Sequence, residues 1–167
     1  MRRLCLFVVV LLLAPALVEA QPRLMLGGGV TTPNGATSDV AETGYHIQVG
    51  LHVAIPTLPV GFRLDGGYHR FGESGAAGDE TKVFAGSISM VFALPGVGLN
   101  PYLLAGLGQY QVDGGLVEMT DRGFHGGFGV VLGALGLGAF AEIRYVRISS
   151  DTGQTTKMIP LTVGVRF

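Results

Sequence analysis

Cysteine occurs once in this chain, tryptophan not at all, and lysine only at Lys82 and Lys157. The one cysteine is Cys5, so everything after it can build neither a disulfide framework nor a thiolate metal site. An excess of positive charge is also missing: Lys plus Arg number 11 against 12 Asp plus Glu. Such a balance gives no basic surface for nucleic acid. Beyond the first 20 residues no apolar run reaches the roughly 20 residues that a membrane-crossing helix requires. Glycine, by contrast, takes 28 of the 167 positions and interrupts the good helix formers throughout, which argues against helical bundles and for sheet.

The amino terminus has a character of its own. Arg2 and Arg3 open it, Leu4 to Leu13 is unbroken apolar sequence, and Val18-Glu19-Ala20 places small residues three and one before Gln21. This pattern predicts a secretory signal peptide over residues 1–20, cleaved before a domain of residues 21–167. A membrane anchor is the alternative, but the apolar stretch is short and contains Pro15. Removing the leader takes away Cys5, Arg2, Arg3 and Glu19, and leaves nine basic and eleven acidic residues.

After the leader the chain alternates with period 2, the signature of strands with two unlike faces. Tyr45, Ile47, Val49, Leu51, Val53 and Ile55 alternate with His46, Gln48, Gly50, His52 and Ala54. Phe62, Leu64 and Tyr68 oppose Arg63, Asp65, Gly67 and His69; Phe84, Ile88, Met90 and Phe92 oppose Ala85, Ser87 and Ser89. In a fifth segment Tyr102, Leu104, Tyr110 and Val112 are assigned to the apolar face, with Ala105, Gln109, Gln111 and Asp113 opposite. Phe124, Phe128, Val130 and Leu132 face away from His125, Gly127 and Gly129, and Ile143 and Tyr145 away from Glu142 and Arg144. A weaker first segment, Arg23 to Val30, is blurred by three glycines; the last runs from Met158 to Phe167 with Ile159, Leu161, Val163, Val165 and Phe167 on one side.

The eight segments are joined by two kinds of connection. Polar loops come after the odd segments (Thr31 to Thr43, Gly72 to Thr81, Gly114 to Arg122, Ser149 to Lys157), and short apolar turns after the even ones (Pro56 to Val60, Pro95 to Asn100, Leu137-Gly138). Long at one end and short at the other is the asymmetry of an up-and-down barrel in an outer membrane. An eight-stranded barrel leaves an interior just wide enough for side chains. The bulky set, with Tyr102 and Tyr110 counted in it, is therefore expected to face lipid, and the small or polar set to face the lumen.

These features together resemble the small bacterial outer-membrane β-barrels, the family of the OmpA transmembrane domain and OmpX-like proteins. The resemblance covers the whole segment after the leader and rests on pattern plus the terminal Val163-Gly164-Val165-Arg166-Phe167. It implies an all-β fold, an eight-stranded antiparallel up-and-down transmembrane β-barrel with both termini on the periplasmic side. It also implies export to the outer membrane and contact with outer-membrane lipids and lipopolysaccharide. Gly164, Val165 and Phe167 would form the signal read by the insertion machinery, although the family pattern has an aromatic residue where Val165 stands.

Candidate functional residues are sparse. Arg63, Asp65, Glu142, Arg144 and Arg166 are all expected in the lumen, where single charges are costly, so they should pair into a plugging network. His46, His52, His69 and His125 are expected inward too, but their spacing is no ligand motif, and no metal or other cofactor is expected. Lipid A-modifying catalysis would need a serine, a histidine base and a carboxylate brought together. Ser87, Ser89, Ser149, Ser150, Asp151 and His69 are the available groups and nothing in the sequence unites them, so no catalytic residue is assigned. Gly126-Gly127-Phe128-Gly129 lacks the lysine and helix of a phosphate loop. The expected role is structural or surface-interacting, carried by the extracellular loops and a ligand that the loops do not identify; a narrow pore is the alternative, and an enzyme a more distant one.

Overall fold

A computed structural model describes residues 22–34, 42–71, 81–113, 118–134, 137–150 and 155–167, without the side chains of residues 118, 119 and 134. The expected leader, a central part of each polar loop and residues 135 and 136 lie outside the described residues. Eight strands run in order: β1 Pro22–Asn34, β2 Gly44–Ala54, β3 Val60–Phe71, β4 Thr81–Ala93, β5 Leu99–Asp113, β6 Glu118–Ala134, β7 Leu137–Ser149 and β8 Thr155–Arg166. Each pairs with the next in sequence, all antiparallel, and β8 pairs back with β1 to close a barrel. Closure removes the free sheet edge. At the seam the Leu24 amide donates to the Phe167 carbonyl at 2.8 Å and the Phe167 amide to the Leu24 carbonyl at 3.0 Å.

The wall has the polarity of a membrane protein. Ile47, Leu64, Ile88, Leu107, Phe128 and Val163 point outward and are exposed, whereas His46, Arg63, Asp65, Ser89, Glu142 and Arg144 are buried inside. An apolar belt running around the whole surface is an unfavourable surface in water and a favourable one in lipid. On β6 the outward belt runs from Phe124 to Leu132. At about 3.3 Å per residue and a tilt near 40° that is roughly 20 Å of height, close to the apolar band of such barrels.

Three features differ from the sequence expectation. Strands run further into the polar end than the loops suggested, with β1 reaching Asn34 and β6 beginning at Glu118. Outside the bilayer a strand no longer needs an apolar face, so its alternation fades before its pairing does. Leu137 and Gly138 belong to β7 and pair with Ala134 and Gly133 rather than forming the turn.

The third difference reverses a whole strand. On β5 the inward residues are Tyr102, Leu104 and Tyr110, all buried, and the outward ones include Leu103, Ala105, Leu107, Gln109 and Gln111. Both faces of β5 are apolar near its start, so alternation alone does not orient it. Neighbouring register does: Leu107 pairs with outward Ile88 and outward Phe124. The lumen thus holds aromatic bulk that the size argument assigned to lipid, with Phe71 and Phe140 buried there as well.

Candidate functional site

The inside of the barrel is built in layers. At the short-turn end Met25, Val91, Tyr102, Leu104, Val131 and Phe140 pack into one apolar cluster. At the loop end Phe71, Val83, Tyr110, Val146, Ile148 and Met158 form a second. Between them lies a charged ring. Period 2 puts Arg63 and Asp65 on the inward face of β3, and Glu142 and Arg144 on the inward face of β7, four strands away around the barrel.

Arg63 reaches across and holds Glu142 with both arms of its guanidinium, Nη1 to Oε2 at 2.8 Å and Nη2 to Oε1 at 3.0 Å. Its Nε donates to Asp65 Oδ2 at 3.0 Å. Arg144 closes the circuit, Nη2 donating to Asp65 Oδ2 at 3.1 Å and Nε to Glu142 Oε1. Tyr102 adds a hydroxyl donated to Glu142 Oε2 at 2.6 Å. Two cations and two anions alternate, so the layer carries no net charge. Its central members are shut away from solvent, with side-chain exposures of 1% for Arg63 and 0% for Glu142. Desolvation on this scale is tolerable only because each charge faces an opposite one with hydrogen bonds in place.

Room for the ring is made by glycine. A Cβ on Gly129 would come 2.8 Å from Cε1 of the Tyr102 ring and closer to its Cζ and hydroxyl, and one on Gly127 would come 3.1 Å from the Cγ of Arg144. Gly129→Ala is therefore expected to push Tyr102 off Glu142 and cost about 1–3 kcal/mol, the usual penalty of overpacking. Urea unfolding in detergent micelles checks this; an unchanged midpoint would show that Tyr102 is not held as described.

Arg166 stands apart from the other four charges. It pairs in register with Met25 and Gly138, whereas Glu142 pairs with Thr162, four residues and about 13 Å further along the strand. Arg166 borders a cavity of about 100 Å³ at the turn end, lined also by His52, Leu58 and Pro59 and, from the ring, by Arg63 and Tyr102. Its Nε has no hydrogen-bond partner among the described residues.

The histidines are distributed as polar filling. Thr31 Oγ1 shares hydrogen bonds with Nδ1 of both His46 and His69 at 2.9 Å, and His46 Nε2 with Thr162 Oγ1 at 2.8 Å. Among the described residues no group of three His, Cys, Asp or Glu side chains could hold a metal ion. His125 Nε2 lies 2.7 Å from Ser89 Oγ, a serine–histidine contact that sequence spacing did not reveal. It lacks what a nucleophile needs. Both residues are buried in the lumen, with exposures of 1% and 2%, and His125 Nδ1 has no partner among the described residues to orient it. His69 is engaged with Thr31, Ser149 points outward, and Asp151 lies outside the described residues.

A closed eight-stranded antiparallel barrel with an apolar wall and a polar, filled interior is the geometry that the family comparison meets. Residues 4–167 match the family described as outer membrane protein beta-barrel domain. The chain belongs to this family.

Among solved structures, Neisserial surface protein A matches with a TM-score of 0.70 and 19% identity, over 89% of this chain and 97% of that one. The outer membrane protein OprG from Pseudomonas aeruginosa matches at 0.57 and 12%, over 88% and 95%. The outer membrane enzyme PagL matches at 0.57 and 16%, over 86% and 98%. At these identities the likeness is one of fold. No curated protein matches the sequence. With the family known, the turn end is the periplasmic one and the loop end the extracellular one.

Proposed function

We propose that this family member is a closed, non-catalytic wall protein of the outer membrane, whose biological contacts are made from outside the lumen. The observation that carries this reading is the two-armed Arg63–Glu142 pair spanning the barrel between two apolar layers. A solute moving along the axis would have to break the charged ring and part both clusters. Function then rests with the four extracellular loops, and with a wall that meets outer-membrane lipids and lipopolysaccharide. The insertion machinery is the third partner, acting on the β8 end at Gly164, Val165 and Phe167. Export through a leader of residues 1–20 belongs to the same proposal.

Single-channel recording tests it. The full chain refolded into planar bilayers is expected to give no sustained open steps at ordinary voltages, and reproducible unitary steps would establish the narrow pore instead. The PagL likeness makes a catalytic assay worthwhile as well: incubation with labelled lipid A is expected to release no acyl chain.

A further inference from the structure

The periplasmic end of the barrel has the chemistry of the lipid belt rather than that of a rim facing water. Its three connections, residues 55–60, 94–100 and 134–137, contain no Asp, Glu, Lys or Arg, and Thr57 and Asn100 are their polar side chains. Each polar loop at the other end holds an acid, as at Asp39, Glu73, Glu118 and Asp151. The cations next to the turns, Arg23 and Arg166, lie on the inward parity of β1 and β8, in line with Met25 and Thr162. Apolar side chains stand outward instead. Val97 is fully exposed, and Leu58 and Leu137 are more than half exposed. They continue the apolar surface of Phe62, Phe92 and Phe167, at the foot of the wall, with no charged side chain between.

The belt on β6 is roughly 20 Å high, a little short of the roughly 25 Å apolar band of such barrels. Apolar turns below the strands make up that difference. The aromatic residues mark only one boundary with water. Tyr45, Tyr68 and Tyr145 lie outward on the loop-end halves of β2, β3 and β7, and each has the hydroxyl that holds a ring at a membrane interface. On the turn-end side the outward aromatics are Phe62, Phe92, Phe128 and Phe167, which have none. The turn backbone is also short of free donors. Pro56, Pro59, Pro95 and Pro101 offer no N–H. The amides of Ile55, Ala93 and Leu94 donate to the carbonyls of Val60 at 3.0 Å, Pro59 at 2.7 Å and Pro101 at 2.9 Å. A segment in contact with lipid has to satisfy its polar groups internally in this way.

We propose that the three periplasmic turns are immersed in the inner leaflet of the outer membrane, with Leu58, Val97 and Leu137 against phospholipid acyl chains just below the headgroups. Continuity with the belt is what selects lipid as the occupant. The barrel then ends inside the membrane on this side, and water meets it at the mouth that His52 and Arg166 line. The turn end is no docking platform for a periplasmic protein, and recognition from water is left to the extracellular loops. This immersion extends the lipid-facing wall proposed above and rests on it.

The test attaches a nitroxide through Val97→Cys, Leu58→Cys, Val163→Cys or Thr120→Cys, each in the full chain carrying Cys5→Ser. The barrels are placed singly in nanodiscs of phosphatidylethanolamine and phosphatidylglycerol, open to water on both faces. Relaxation by dissolved oxygen is compared with relaxation by a water-soluble nickel chelate. Val163, outward in the middle of the belt, and Thr120, outward above it, supply the lipid and water standards. The oxygen-to-nickel ratios at Val97 and Leu58 are expected to lie nearer to that of Val163 than to that of Thr120. A ratio at either turn like that of Thr120, with Val163 still dominated by oxygen, overturns the immersion alone and leaves that turn to a protein partner. A Val163 dominated by nickel overturns the lipid-facing wall and the immersion with it. Should Val97→Cys fail to fold, Leu137→Cys takes its place with the same expectation.

Discussion

Replacing Glu142 with alanine is expected to destabilise the barrel more than any other single change in its lumen. The carboxylate accepts from both arms of Arg63, from Arg144 and from Tyr102. Removing it strands two guanidinium groups, with only Asp65 left to face them. Breaking a buried pair in this way costs about 3–5 kcal/mol, on the order of 10 °C in the thermal midpoint for a chain of this size. Circular dichroism melts in detergent check it. Exchanging all four charges at once, as R63M/D65L/E142L/R144M, is expected to cost far less, because an apolar filling leaves no uncompensated charge behind. If the fourfold variant were as unstable as Glu142→Ala, the ring would owe its importance to shape rather than to charge balance.

The second large effect concerns β5. Leu103 faces outward at mid-height, in register with Phe128 of β6 and Phe92 of β4. Arginine at that position would stand in the middle of the lipid belt and is expected to cost about 2–4 kcal/mol. Leu104, one residue on, is buried in the periplasmic cluster. A nitroxide attached at Leu103→Cys is therefore expected to be relaxed strongly by oxygen dissolved in the lipid, and one at Leu104→Cys weakly. The reverse result would restore the orientation that the sequence alone favours.

That orientation shows how far alternation can be read. It places six strands on the correct faces because each has one plainly polar or small side, such as Arg63, Asp65 and His69 on β3, and it leaves β1 unassigned, where three glycines blur the pattern. On β5 Leu103 and Leu107 compete with Tyr102 and Leu104, and the polar Gln109 and Gln111 are outward because they rise above the belt, not because they line the lumen. Period 2 reports a face, and only register reports a height. The same limit applies to Arg166, which shares the inward face of Glu142 and Arg144 but sits level with Gly138, four residues below Glu142 and six below Arg144. The Ser89–His125 contact, between strands two apart in the barrel, is invisible to spacing for the same reason. The lumen's two apolar layers are hidden as well. Tyr102 and Tyr110 read as lipid-facing by their bulk, and Phe71 and Phe140 lie on faces whose polar neighbours suggest a uniformly polar interior.

The central claim is an inserted, closed barrel, and electrophoresis of isolated outer membranes with and without boiling tests it most directly. The chain is expected in the outer-membrane fraction, and its unboiled band is expected to migrate apart from the boiled one, because β8 zipped to β1 keeps the barrel compact in detergent until heat opens it. A chain recovered in the soluble fraction, or one band at the same position before and after boiling, would contradict it.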